Sequence, residues 1–382
     1  MAKNHHRHTT ELPSDVILVH ILPRLAANTI LRFKSVCKEW HSFLNTPKFH
    51  NLHHQHVTNN HNQYHHKLLT YSKLKSPCEF FTVDCEAPNE SVTRLTTPFE
   101  VSNHYDVSIL SSCNGMICLG VRIKRFGYDK YFDDLILWNP LTSDYKTLSK
   151  TNSHSECYMK SPYNVSKMYY TSSEDDYKIL HVAESCNVYI YSLKSDSWKK
   201  IELTENDPSL WNYDHPMPSA LWDENVYFLN TMWGQEYWVI RFDTKTEKFT
   251  KVSNISSQIQ TGVDIWSSVH VEKPCLHFCV SNMYDGRIEL FRMNEDEQWT
   301  KMETCLSKRD GPNMAGYVDP LHLMRNGNWL VHYPKGFCLY IVDVDKYINE
   351  DHEFEPPENG MHISAVEKYI ETLVSPNRYI MQ

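Results

Sequence analysis

Four aromatic residues, Tyr145, Trp198, Phe249 and Trp299, stand 53, 51 and 50 positions apart, and each closes the same local pattern. A short apolar run enters a polar turn rich in Asp, Ser, Thr or Lys, and the aromatic residue follows with a lysine near it. Residues 135–146, 188–199 and 239–249 repeat this order, and 288–293 lead into Trp299-Thr300-Lys301. That is a propeller period. A second series of apolar runs, 116–119, 178–182, 226–229, 276–280 and 329–332, falls between the hairpins. The alternation gives about four strands per unit, and a closed ring of such units hides strand edges that would otherwise invite pairing between chains. Gly-poor strands with frequent turns fit an all-β chain. Residues 339–343 begin a further outer hairpin, and 80–83 with 92–95 supply a degenerate first one. The expectation over 67–382 is therefore an all-β propeller of six blades, with seven as the alternative. Residues 366–373 are expected to return as a strand and close the ring against 68–71.

The first 50 residues follow another pattern. Pro13 suits a first helical turn, where its missing N–H has no partner in any case, and Ser14 and Asp15 put acceptors and negative charge at the positive helix end. Val16, Ile17, Leu18, Val19, Ile21, Leu22 and Leu25 then cover nearly the whole circumference, more than a helix packed on one small domain needs. Leu31, Val36, Trp40, Phe43 and Leu44 continue at helical spacing. A module of roughly 40 residues sits near the size at which a lone core is insufficient, so a partner or a neighbouring domain is expected to cover part of it. Pro23 is expected to kink or end the first helix.

In order and type, Leu12-Pro13-Ser14-Asp15-Val16, Leu31-Arg32-Phe33 and Val36-Cys37-Lys38-Glu39-Trp40 resemble an F-box. The resemblance implies a small all-α F-box over 11–50, behind a disordered tail at 1–10, that docks onto a Skp-type adaptor hung from a cullin scaffold. It assigns adaptor binding to Leu12, Pro13, Val16, Ile21, Leu22, Leu25, Leu31, Val36, Cys37 and Trp40. Further along, Ser112-Cys113-Asn114-Gly115-Met116, Leu137-Trp138-Asn139-Pro140 and Tyr369-Ile370-Glu371-Thr372-Leu373-Val374-Ser375-Pro376 resemble the F-box-associated interaction domain of the large plant F-box family. Some members of that family are F-box/kelch-repeat proteins; the paired glycines of kelch blades are absent here. The resemblance implies the substrate-recognition subunit of a Skp-cullin-F-box ubiquitin ligase, with the propeller binding the protein to be ubiquitinated. The competing classes are an interaction propeller outside ubiquitination and a propeller hydrolase.

Composition narrows the partners. A net charge of −9 over 382 residues with no strongly basic domain does not point to nucleic acid. No apolar stretch approaches the roughly 18 residues that cross a bilayer, so a cytoplasmic or nuclear protein is expected. Eleven cysteines without paired spacing read as reduced core residues. Residues 51–66, with His53, His54, His56, His61, His65 and His66 among Asn and Gln, have the composition of a linker. Pairs such as His50/His54 share a helix face, yet no Cys or acidic residue completes a four-ligand set, and no metal is expected. No Ser/His/Asp order, phosphate loop or cysteine pair supports catalysis or a cofactor. Ser195-Asp196-Ser197-Trp198 lacks the turn glycine of a sialidase-type Asp-box and reads as a turn before a blade anchor. The acidic clusters at 174–176 and 295–297 are expected as solvated turns. For substrate, Trp211, Tyr213, Trp233, Tyr237 and Trp266 stand outside the repeat phase, in or beside Pro- and Gly-containing connections. Aromatic residues exposed on loops make binding anchors, and packing beneath a long loop is the competing reading.

Overall fold

The computed structural model describes residues 12–59, 66–72, 78–88, 91–99, 105–123, 134–148, 165–182, 187–204, 218–232, 236–258, 265–272, 275–282, 287–294, 297–306, 319–333, 338–342, 352–353 and 365–379. The expected tail at 1–10 lies outside them. Three helices come first, α1 (Ala27–Phe33), α2 (Lys38–Leu44) and α3 (Pro47–Asn59), preceded by a wide π-type turn over Val16–Ile21 and a tight 3₁₀ turn over Leu22–Arg24. Pro23 sits inside the tight turn, and Leu25 after it is extended, so the first helix stops where a proline is expected to stop it.

Six four-stranded antiparallel sheets follow among the described residues. The second blade runs β4 (Tyr105–Cys113), β5 (Met116–Ile123), β6 (Asp134–Trp138) and β7 (Tyr145–Thr147), and the third β8 (Val165–Thr171), β9 (Asp176–Val182), β10 (Val188–Ser192) and β11 (Ser197–Ile201). The fourth is β12 (Ser219–Trp222), β13 (Asn225–Met232), β14 (Glu236–Asp243) and β15 (Lys248–Asn254). The fifth is β16 (Ile265–Glu272), β17 (Cys275–Asn282), β18 (Arg287–Met293) and β19 (Trp299–Leu306), and the sixth β20 (Asp319–Leu323), β21 (Trp329–Tyr333), β22 (Cys338–Val342) and β23 (His352–Glu353).

The first blade is composite. Its strands β1 (His66–Ser72), β2 (Glu79–Asp84) and β3 (Val92–Leu95) take their inner neighbour from the far end of the chain, β24 (Ala365–Ile370). The ladder sets Leu68 opposite Lys368, Leu69 opposite Glu367 and Thr70 opposite Val366, which is the ring closure expected from the sequence. On the other side of this blade, Leu68 and Val83 share an apolar cluster with Leu321, Leu330 and Leu339 of the sixth.

The repeat aromatics lie at the blade contacts to different depths. Trp299 is buried, and its Nε1–H donates to Ser253 Oγ of the preceding blade at 2.8 Å. Phe249 is also buried, Trp198 is half-buried and Tyr145 is exposed. The acid two residues ahead of three of these aromatics has its own repeated role. Asp196, Glu247 and Glu297 have φ of 50°, 54° and 58°, left-handed positions that a glycine would fill without strain. Each acid meets a cation of the preceding blade: Lys146 to Asp196 at 3.2 Å, Lys199 to Glu247 at 2.7 Å and Arg241 to Glu297 at 2.7 Å. The acid that takes up the left-handed backbone of the turn therefore also links neighbouring blades. Outer strands carry exposed cations such as Arg94, Lys200, Lys248 and Lys251, which discourage edge-to-edge pairing.

Of the cysteines expected in a reduced core, Cys85, Cys113, Cys118 and Cys279 are buried, Cys78 and Cys275 are half-buried, and Cys37 is exposed at the start of α2. Burial pushes the Cys113 and Cys118 thiols up to about 12, which keeps them protonated and unreactive. For the blade anchors, Trp299→Ala is expected to cost about 3–5 kcal/mol in denaturant unfolding, as for other large buried aromatics. Trp198→Ala should cost clearly less because its ring is only half covered. Equal losses from the two variants would contradict this packing difference.

Candidate functional site

Six large apolar side chains are exposed among the described residues, and three of them, Leu12, Ile21 and Val36, belong to the short helical module. That is a high share for so few residues. Val36 is 59% exposed and Ile21 38%. Pro13 and Cys37 are exposed too, while Val16, Leu25, Leu31 and Trp40 are half-buried. Cys37 has a structural duty as well. It starts α2 in extended geometry, and its Sγ accepts a hydrogen bond from the Trp40 N–H at 3.4 Å.

Leu22 does not belong to this surface. At 1% exposure it is buried in a cluster with Ala27, Ile30, Leu44, Phe49 and Leu373, a residue of the C-terminal segment. The sequence assigned it to an outside partner because an all-round apolar helix gives no means of telling one apolar client from another. The client here is the module's own core and the chain's far end.

The expected linker is also different. Residues 47–59 form α3, and its face bearing Phe49, His53, His54 and Val57 is buried; residues 60–65 lie outside the described residues. His53 Nε2 is 3.1 Å from the Leu25 carbonyl, a contact that its neutral ring makes as a donor. Desolvation lowers the His53 pKa to about 4, with the Leu25 carbonyl opposing the shift. His54 reaches across to the propeller, where its ring stands edge-on to Tyr170 at 5.4 Å and its Nε2 lies 3.4 Å from Asn114 Nδ2. The missed signal was the i, i+4, i+8 spacing of Phe49, His53 and Val57, an amphipathic stripe written partly in histidine.

The three sequence patches shared with the interaction domain meet at this joint. Gly115 has φ of +84°, and a Cβ there would lie 2.4 Å from Thr372 Oγ1 and 2.9 Å from the Ile370 carbonyl. The absence of a side chain lets the C-terminal segment lie against the turn, where Thr372 Oγ1 donates to the Asn114 carbonyl at 2.5 Å. Asn139, fully buried, donates from Nδ2 to the carbonyls of Thr372 at 2.9 Å and Val374 at 2.8 Å. Its Oδ1 accepts from the N–H of Leu141 and shapes its own turn.

Of the aromatics proposed to hold a substrate, Trp211, Tyr213 and Trp233 lie outside the described residues. Trp266 lies in β16 opposite Ser281. Tyr237 is not a loop anchor. It is in β14, 3% exposed, packed with Leu229, Val239 and Ile255. It falls out of the aromatic repeat phase because a different strand of its blade buries it. The acidic cluster at 174–176 is not merely solvated either: Glu174 pairs with Lys178 at 2.9 Å, Asp175 with Arg378 at 2.9 Å, and buried Asp176 accepts from Ser192 Oγ at 2.6 Å. Among the described residues no group of three His, Cys, Asp or Glu side chains is placed to hold a metal ion, and no helix is long and apolar enough to cross a membrane.

Two family profiles match the chain: the F-box domain over residues 10–52 and the F-box associated beta propeller domain over residues 69–376. An F-box protein of Arabidopsis thaliana is 24% identical over 249 residues, 63% of this chain and 59% of the relative's length. A second Arabidopsis relative, named as an F-box/kelch-repeat protein, is 24% identical over 316 residues, 79% of this chain and 74% of its own. Among solved structures, a periplasmic gluconolactonase of Pseudomonas aeruginosa aligns with a TM-score of 0.44 at 11% identity, over 76% of this chain and 82% of that one.

Two measurements check the joint. Gly115→Ala combines a left-handed backbone with a blocked approach, so it should lower unfolding stability by at least about 1–3 kcal/mol. Stability should also fall as pH drops from about 6.5 towards 4. In that window unfolded His53 takes up a proton that the folded, buried ring refuses, and below it both states are protonated and the loss is complete. His53→Gln keeps a donor for Leu25 and cannot titrate, so its melting temperature should vary less over the same window. An unchanged pH slope would mean that His53 is not held neutral by burial.

Proposed function

The chain belongs to the F-box proteins with an F-box-associated β-propeller, and we propose that it is the substrate receptor of a Skp-cullin-F-box ubiquitin ligase. The observation that carries the reading is the helical module's set of exposed apolar side chains, Leu12, Ile21 and Val36, held on a six-bladed propeller. In this role the module binds a Skp-type adaptor, and through it a cullin scaffold, in the cytoplasm or nucleus. The propeller binds the protein to be modified, with Trp211, Tyr213, Trp233 and Trp266 as the proposed aromatic contacts.

The mechanism is positional. Holding a substrate beside the ubiquitin-loaded transfer enzyme converts an encounter into a local reaction, with the effective concentration set by the span between the two sites. The receptor supplies no acid, base or nucleophile. What it supplies is the distance.

The adaptor contact can be tested apart from folding. Val36→Asp places a charge on a side chain that is exposed in the free chain, so its melting should stay within about 0.5 kcal/mol of the parent, as for other surface substitutions, while Ile21→Asp, at a more covered side chain, should cost somewhat more. Each should weaken binding to a purified Skp-type adaptor at least about tenfold, a loss of roughly 1.4 kcal/mol, because the charge must be desolvated in the complex. Leu22→Glu is expected to behave differently and damage the fold. An intact chain that binds no Skp-type adaptor would overturn the receptor reading in favour of an interaction propeller outside ubiquitination.

A further inference from the structure

We propose that the C-terminal segment 371–379 is a positioning element, fixing the helical module at one orientation on the propeller and so setting where transferred ubiquitin lands. The inference rests on the receptor reading for its consequence, but its geometry stands on its own. The segment leaves the closing strand β24 and runs between the two bodies. Consecutive residues serve opposite sides: Leu373 is buried in the module's cluster with Leu22, Leu44 and Phe49, while Val374 is buried with Cys113, Met116 and Tyr177 of the propeller. Such alternation is what an extended backbone gives.

Polar contacts fix the same segment in register. Asn139 grips it by two carbonyls, and Thr372 bonds the Asn114 carbonyl beneath it. At its end Arg378 bridges both bodies. One guanidinium nitrogen donates to Asn51 Oδ1 of α3 at 3.2 Å and to Asp175 Oδ1 of the third blade at 2.9 Å. The guanidinium also lies over the rings of Tyr177, at 5.6 Å, and Tyr379, at 5.1 Å. A segment joined covalently to the ring-closing strand and packed into the module's core leaves no free hinge at this joint. A receptor built so offers its adaptor and its substrate at one separation, so a limited set of lysines should come within reach of the transfer enzyme.

The test compares the full-length parent with Arg378→Ala and Leu373→Asp in two arms. In small-angle scattering of the chain alone, the parent should fit a single compact arrangement, and both variants should need a spread of module orientations. Hydrogen exchange checks the ring: β13 and β17 should exchange as in the parent while α1 and α2 exchange at least tenfold faster in Leu373→Asp. In a reconstituted ligase containing a Skp-type adaptor, the lysines of the receptor's own propeller serve as the acceptor. The parent should mark a restricted subset, and Arg378→Ala should spread the marks over more lysines with adaptor affinity within twofold of the parent. A role confined to stability would lower yield without redistributing the sites. A parent that scatters as a hinged pair, or Arg378→Ala and Leu373→Asp variants that both keep the parent's scattering curve and lysine pattern, would overturn the proposal. If the parent binds no adaptor, the receptor reading fails while the scattering and exchange arms still decide the positioning role.

Discussion

The antiparallel ladder between β24 and β1 is the contact on which the rest of the molecule depends. It joins positions about 300 residues apart, yet loop-closure entropy grows only slowly with length, so its cost is modest beside the edges it removes. Without it β1 would expose an unpaired edge, and the cluster that Leu68 and Val83 share with the sixth blade would lose a wall. The closure also places the last described residues next to the helical module. Gly115 and Asn139 receive the segment beyond the closing strand, so the same two residues lie against both the ring closure and the seat of the module.

Around the ring, three pairs of neighbouring blades are linked by charge at the turn before the outer strand. With few glycines in the chain, the turns before β11, β15 and β19 put Asp196, Glu247 and Glu297 into left-handed geometry. The strain is offset in part by a cation from the preceding blade. Glu247 meets two, since Lys178, nearly buried, also lies 3.4 Å from it. Exposed pairs of this kind contribute little singly, but a buried lysine cannot lose its acid cheaply. The blade register is thereby marked by acidic residues in repeat phase.

The periodic parts of the fold are legible in the sequence. The aromatic spacing, the alternating apolar runs and the return of the last strand were all legible, because strand burial repeats every second residue and blades repeat every 50 or so. Burial that depends on neighbours from distant parts of the chain leaves no such periodic mark. Tyr237 looked like a loop aromatic because it is out of phase, yet its strand buries it against Leu229 and Ile255. The histidines of α3 looked like linker because composition outweighed spacing, although Phe49, His53 and Val57 lie on one stripe. Leu22 and Val36 are indistinguishable as apolar helix residues, and the packing of the module's own core together with Leu373 separates the buried one from the exposed one.

That separation bears on how a small module is stabilised before any partner arrives. A helical unit of roughly 40 residues is marginal alone, and an outside adaptor was the expected remedy. The structure supplies another within the chain, through Leu373 and Leu141, which pack into the module's apolar cluster. A module already folded on its propeller pays less ordering entropy when an adaptor binds, so more of the contact energy of Leu12, Ile21 and Val36 is available as affinity. On the receptor reading, the contacts that hold the module folded would also hold it aimed, which ties adaptor affinity and substrate geometry to one stretch of chain.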